Sequence, residues 1–353
     1  MAATTNPLHG THTPSDLPIS TETFTISGLT VDVHGLSELS PSSTCITALW
    51  LLHPRLQTRE TMHPLAAQII NTYNSRKEKS TSRGLIAITF DQRNHGTRLV
   101  SKLHNEAWRE GNPRHAQDMF SCYHGTASDT SQLISHLESY IFSGPDHPQR
   151  ITQHFVLGVS LGGHAAWHCL LSEPRITAAV VGIGCPDYTR LMTDRARLSR
   201  RKTYTESSPP GSKFLGSEDF PRALRDAIAL YDPAGLLLPD SFSPAKPSEL
   251  SPPPNQDKLE RMRRLLKERL QGKRILNLSG KADKLVPYAA GEPFLKVFKQ
   301  MIGEDPSLDI QMEDVLFDGV GHAFPKEMAD KATDWICGLL TRDEGLGVKS
   351  SKI

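Results

Sequence analysis

The stretch Phe155-Val156-Leu157-Gly158-Val159-Ser160-Leu161-Gly162-Gly163-His164 decides how this 353-residue chain is read. Its apolar start predicts a short strand. A G-x-S-x-G turn follows, and then small residues able to begin a helix. A serine hydroxyl is a weak nucleophile until it is raised into a cleft, offered to a histidine and set beside backbone N–H groups. A sharp strand–turn–helix supplies those conditions. Gly158 and Gly162 stand where a Cβ would crowd the turn, and the helix start has unpaired N–H groups. By itself the motif is cheap, since any Gly/Ser-rich turn can spell it.

Two later segments give it weight. Arg274-Ile275-Leu276-Asn277-Leu278-Ser279-Gly280-Lys281-Ala282-Asp283 reads as an apolar strand with an acid just past its end. Leu316-Phe317-Asp318-Gly319-Val320-Gly321-His322 reads as a strand, a glycine turn and a histidine. In an open parallel sheet, residues just beyond the strand C-termini converge on one edge. Ser160, Asp283 and His322 therefore occupy, in that chain order, the three slots of a nucleophile–acid–base set.

With these residues in place the chain resembles the α/β-hydrolase fold family, over roughly residues 45–98, 125–184 and 273–340. The resemblance implies an α/β architecture: a mostly parallel eight-stranded sheet with helices on both faces and an inserted cap. It implies Ser160 as nucleophile after the fifth strand, Asp283 as acid after the seventh, and His322 as base after the eighth. The loop Asp91-Gln92-Arg93-Asn94-His95-Gly96 is similar to the D-x-R-x-H-G turn of many soluble members. The general likeness is to fungal intracellular members.

Composition narrows the class. The 40 basic and 39 acidic side chains nearly cancel, which points away from a nucleic-acid partner. No apolar run is long enough to span a membrane, and the N-terminus lacks the layout of a secretory signal. Five scattered cysteines without C-x-x-C spacing argue against disulfides and a zinc site. The expected compartment is the cytoplasm. The C-terminal Ser351-Lys352-Ile353, close to the S-K-L address, offers the peroxisome as an alternative. The triad chemistry requires neither cofactor nor metal.

Along the chain, residues 1–20 read as a disordered or loosely packed tail and 343–353 as a flexible one. Strands are predicted at Thr23–Ile26, Thr30–His34, Cys45–Leu52, Gly84–Phe90 and Ile176–Gly184. Helices are predicted near Pro64–Lys79, Ser128–Ile141 and Asp257–Leu270, with 99–124 an irregular insertion. Eleven of the 25 prolines fall between Pro186 and Pro254, where apolar periodicity fades. Residues 186–272 are accordingly expected to form the cap, leaving 21–185 and 273–342 as the core.

For the oxyanion hole, the first donor is the Leu161 amide, which follows the nucleophile. Relatives carry His-Gly in the loop that gives the second. Here it reads Leu52-His53-Pro54-Arg55, and proline has no N–H, so the Arg55 amide is the candidate. His53, with Asp91, Arg93 and His95, is expected to hold loops. His164 lies one turn past Ser160 and could line the pocket, though a helix-side histidine is the commoner outcome. Asp187 is the alternative acid. The run Arg195, Arg197, Arg200, Arg201, Lys202 could meet an acidic substrate, or be a solvated face, the usual fate of a charge run. The expected activity is acyl-enzyme chemistry on a carboxylic ester of a small or medium apolar substrate. A thioesterase or C–C hydrolase of a fungal biosynthetic route is the alternative. A catalytically weak relative kept for binding is the alternative of another class.

Overall fold

A computed structural model describes residues 6–12, 18–78, 81–145, 147–242, 249–250 and 252–342. Its strands are β1 Thr21–Ile26, β2 Leu29–His34, β3 Cys45–Leu52, β4 Arg83–Phe90, β5 Arg150–Val159, β6 Ile176–Gly182, β7 Arg274–Gly280 and β8 Gln311–Phe317. They form one eight-stranded sheet in the order β1-β2-β4-β3-β5-β6-β7-β8. β1 and β2 make an antiparallel hairpin, and β2 runs antiparallel to β4; all later pairs are parallel. The hairpin closes on Ser27-Gly28, both at positive φ (52° and 79°), the conformation a two-residue turn needs to match strand twist.

The helices are α1 His63–Arg76, α2 His115–Ile141, α3 Leu161–Ser172, α4 Tyr188–Leu198, α5 Lys202–Thr205, α6 Arg222–Tyr231, α7 Pro233–Leu237, α8 Gln256–Leu270, α9 Tyr288–Glu304 and α10 Lys326–Arg342. The parity of the inner strands sorts the two cores. Ile46, Ala48, Trp50 and Leu52 of β3 face the cluster built with α2, α3, α8 and α9. Leu49 and Leu51 face the cluster built with α1 and α10. Strands covered on both faces need apolar side chains at every position, which is why β3 and β4 are continuous apolar runs rather than alternating ones.

Three expectations are corrected. α2 begins at His115, within the stretch read as irregular. Ala116, Met119, Phe120, Tyr123 and Ala127 form a buried helical stripe there, masked by the His, Gln, Asp and Ser between them. Residues 6–12 are not loose. The Phe324 amide donates to the Pro7 carbonyl (2.7 Å), the Thr11 hydroxyl donates to the Phe324 carbonyl (2.6 Å), and Leu8 is buried in the α1–α10 core. Finally, the 186–272 segment is not excluded from the core: Met262, Leu266 and Leu270 of α8 are fully buried in the same cluster as α3, and Ile228 of α6 and Leu237 of α7 join it. The expected flexible tail 343–353, with its Ser351-Lys352-Ile353 ending, lies outside the described residues.

Candidate active site

Ser160 stands between β5 and α3, as the N-cap residue of the helix. Its φ of 57° and ψ of −111° are rarely adopted by an L-residue and cost on the order of 1–3 kcal/mol. The surroundings enforce this geometry. The Ser160 amide donates to the Gly182 carbonyl (2.8 Å), tying the turn to β6. A Cβ on Gly158 would fall on the Gly162 carbonyl, and one on Gly162 would fall on the Leu52 carbonyl. Both would set a Cβ against main-chain atoms and cannot be relieved by a rotamer change.

The structure brings Ser160, His322 and Asp283 together. Asp283 Oδ1 accepts the Leu285 and Val286 amides (2.8 and 2.9 Å), which leaves Oδ2 facing the imidazole. His322 Nδ1 lies 2.8 Å from Asp283 Oδ2, and Ser160 Oγ lies 2.9 Å from His322 Nε2. An ionised carboxylate only accepts, so Nδ1 carries the proton. Nε2 of the neutral ring is then the acceptor, and Ser160 Oγ–H donates to it. The Asp283 side chain is 1% exposed and that of His322 13%. The acid is sealed off, while the imidazole keeps an open edge toward the cavity.

That cavity, about 360 Å³ including its open mouth, is lined by Ser160, His322, Leu161 and Arg55 among others. Both amides expected as oxyanion donors thus belong to residues of its wall. The loop bearing Arg55 is pinned as anticipated. Burial, with the neighbouring His95, pushes the His53 pKa down to about 3, so the ring is neutral. Its Nε2 accepts the Gln92 amide (2.9 Å) and its Nδ1–H donates to the Pro54 carbonyl (2.8 Å). Asp91 accepts from Arg59 and Thr97, Arg93 pairs with Asp129 (2.9 Å), and His95 Nδ1 donates to the Arg93 carbonyl (2.9 Å). These groups hold the loop after β4.

Asp187, the alternative acid, is engaged elsewhere. It caps α4 by accepting the Arg190 amide (3.0 Å) and pairs with the Arg190 guanidinium (3.0 Å). His164 was expected on a plain helix side, yet it lines the cavity. Burial pushes its pKa down to about 3, and its Nδ1 is held at the Cys185 backbone (3.0 Å to the carbonyl). Arg195 and Pro7 also reach the cavity wall. Pro7 gave no signal in the sequence, because only the fold carries residues 6–12 to the loop after His322.

The strand order, the single antiparallel hairpin at one end, and a strained serine after β5 define the α/β-hydrolase fold. No family model and no curated protein sequence matches the chain. Solved structures do. A candidate dipeptidyl aminopeptidase IV from Bacteroides ovatus is 14% identical, with a TM-score of 0.50 over 92% of this chain, which spans 35% of that protein's length. A Thermus thermophilus protein, 19% identical, covers 92% of this chain and is itself covered to 99%, at a TM-score of 0.49. An esterase from Pyrococcus furiosus, 14% identical, gives coverages of 94% and 95% and a TM-score of 0.47. At these identities the likeness is one of fold.

Proposed function

We propose that this chain is a serine hydrolase that forms an acyl-enzyme on Ser160, with a carboxylic ester as its substrate. The observation that carries the reading is the unbroken series Ser160 Oγ, His322 Nε2, His322 Nδ1, Asp283 Oδ2, with heavy-atom separations of 2.9 and 2.8 Å. Ser160 Oγ attacks the carbonyl carbon as its proton passes to His322 Nε2. Asp283 holds the ring in the competent tautomer and stabilises the imidazolium. The Leu161 and Arg55 amides receive the carbonyl oxygen as it becomes an oxyanion. His322 then returns the proton to the departing alkoxide. A water attacks the acyl-enzyme with His322 again as base, releasing the acid and restoring Ser160.

The segment between β6 and α8 is the cap in this reading. It supplies Arg195 to the cavity and sets which acyl and alcohol groups enter. A fluorophosphonate, which phosphonylates an activated serine, tests the assignment. It should label the wild-type protein on Ser160 and leave Ser160→Ala unlabelled. A folded wild-type protein that resists labelling would be a binding relative without turnover, and the hydrolase reading would be abandoned.

A further inference from the structure

Five cations stand between Arg195 and Lys202 in the sequence, and the fold separates one from the others. Arg197 bonds Asp194 on the helix surface, and Arg201 pairs with Asp219 (2.6 Å). Arg195 points the other way. Tyr188, Leu191, Met192 and Ala196 are the buried apolar residues of α4, and Arg195, itself half-buried, lies on the same side at i+7 from Tyr188 and i+4 from Leu191. An apolar side chain belongs at such a position. Here a guanidinium fills it and lines the cavity over Ser160.

The groups that accept hydrogen bonds from that guanidinium are neutral, and the carboxylate that acts on it from farther off, Asp283, is paired with His322. Nη1 donates to His115 Nε2 (3.3 Å) and Met119 Sδ (3.0 Å), and Nη2 donates to the Leu285 carbonyl (3.1 Å). Nε is buried and has no partner. His115 is a neutral acceptor: burial, reinforced by Arg195 and Arg55, holds its pKa well below the usual value. Among the described residues, no carboxylate lies within ion-pair distance of Arg195. The cavity lining includes a second arginine, Arg55, and no Asp or Glu. Burial, with Arg55 adding to it, pushes the Arg195 pKa down to about 10, so the group is still a cation at neutral pH. A largely buried cation with no carboxylate in direct contact is costly, and breaking even requires an anion with good geometry. With both Nη1 donors engaged and one Nη2 donor on the Leu285 carbonyl, the second Nη2–H is the donor left for a carboxylate.

We propose that Arg195 selects the substrate by receiving a carboxylate that the ester carries on its acyl or leaving-group side. The preferred substrates are then anionic esters, such as half-esters of dicarboxylic acids, rather than the apolar esters expected from the sequence. This rests on Ser160 being the nucleophile, and the test separates the two ideas. The kcat/KM of mono-4-nitrophenyl glutarate is compared with that of 4-nitrophenyl butyrate, and 3-acetoxybenzoate with phenyl acetate. In at least one pair the anionic member should be favoured. Arg195→Met should cut that ratio about tenfold to a hundredfold, the range of a charge-assisted hydrogen bond. Arg195→Lys should restore part of it. A binding arm needs no turnover: the affinity of Ser160→Ala for mono-4-nitrophenyl glutarate, by calorimetry, should fall by a similar factor on adding Arg195→Met. Circular dichroism confirms that each variant is folded. Ratios unmoved in both pairs, or equal affinities in the calorimetric pair, would overturn the role of Arg195 while leaving a fluorophosphonate-labelled Ser160 in place.

Discussion

Replacing Asp283 by asparagine is the sharpest test of the site, because its backbone contacts dictate the outcome. Oδ1 already accepts two amides, from Leu285 and Val286. Only an oxygen can take that place, so the asparagine amide must turn its NH2 toward His322. A donor opposite Nδ1 forces that nitrogen to accept, which moves the ring proton to Nε2. Nε2 is the atom 2.9 Å from Ser160 Oγ, and once protonated it can no longer remove the serine proton. The imidazolium also loses the carboxylate that stabilises it. In the serine protease that serves as the worked case, the same exchange costs on the order of 10⁴ in kcat. A loss of that order is expected here, as kcat/KM on a nitrophenyl ester and as the rate of fluorophosphonate labelling. Asp283→Ala, which offers Nδ1 no donor from its side chain, leaves the competent tautomer available and should lose no more than Asp283→Asn. Asp187→Asn should stay close to wild type in kcat, since Asp187 is engaged with Arg190. If Asp283→Asn kept more than about a tenth of wild-type activity, or if the two asparagine variants exchanged effects, the tautomer argument would be wrong.

Four further outcomes are expected. Ser160→Ala should retain less than about a hundredth of wild-type kcat/KM with an unchanged melting profile, and a higher residue of activity would sink the nucleophile assignment. Gly162→Ala should destabilise the fold by about 3 kcal/mol or more, read by urea unfolding, because its Cβ meets the Leu52 carbonyl; a neutral result would mean the turn is softer than drawn. Acid should unfold the protein early. Burial holds His53 and His164 at about 3 and His34 and His154 at about 4, whereas the unfolded chain takes up these protons near pH 6.5. Lowered folded pKa values mean that stability is lost as pH falls from 6.5 toward 4. At pH 5 the loss is about 2 kcal/mol for each histidine, on the order of 8 kcal/mol for the four, and equal unfolding free energies at pH 7.5 and 5.0 would contradict it. Substitutions on the cavity side of residues 188–242 should reshape the acyl chain-length profile by about 1–3 kcal/mol per methylene misfit, with labelling retained; an unmoved profile would remove the cap from substrate choice.

The sheet was legible because its inner strands bury both faces and therefore spell continuous apolar runs, as β3 and β4 do. The elbow, Asp283 and His322 were legible for a related reason: each follows such a run, and strand ends are where a parallel sheet gathers its chemistry. The first half of α2 escaped because its buried stripe is thinned by polar neighbours within one continuous helix. Arg195 escaped because a charge run carries no information about which member turns inward. The α4 stripe through Tyr188, Leu191, Met192 and Ala196 was the available signal, and Arg195 lies on its side of the helix. Residues 6–12 had no local signal at all, since what orders them lies 313 positions away.

That last contact bears on how the molecule is made. A ribosome releases residues 6–12 long before Phe324, so this piece of the chain must wait through most of synthesis for the two hydrogen bonds that hold it. β7, β8 and α10 emerge in the same final stretch, and with them Asp283 and His322. The wall to which Pro7 contributes is closed where an early-made segment meets a late-made one beside the histidine. A nascent chain halted anywhere before β8 carries Ser160 but lacks His322, the base of the proposed reaction, and the Phe324 backbone that holds residues 6–12 in place.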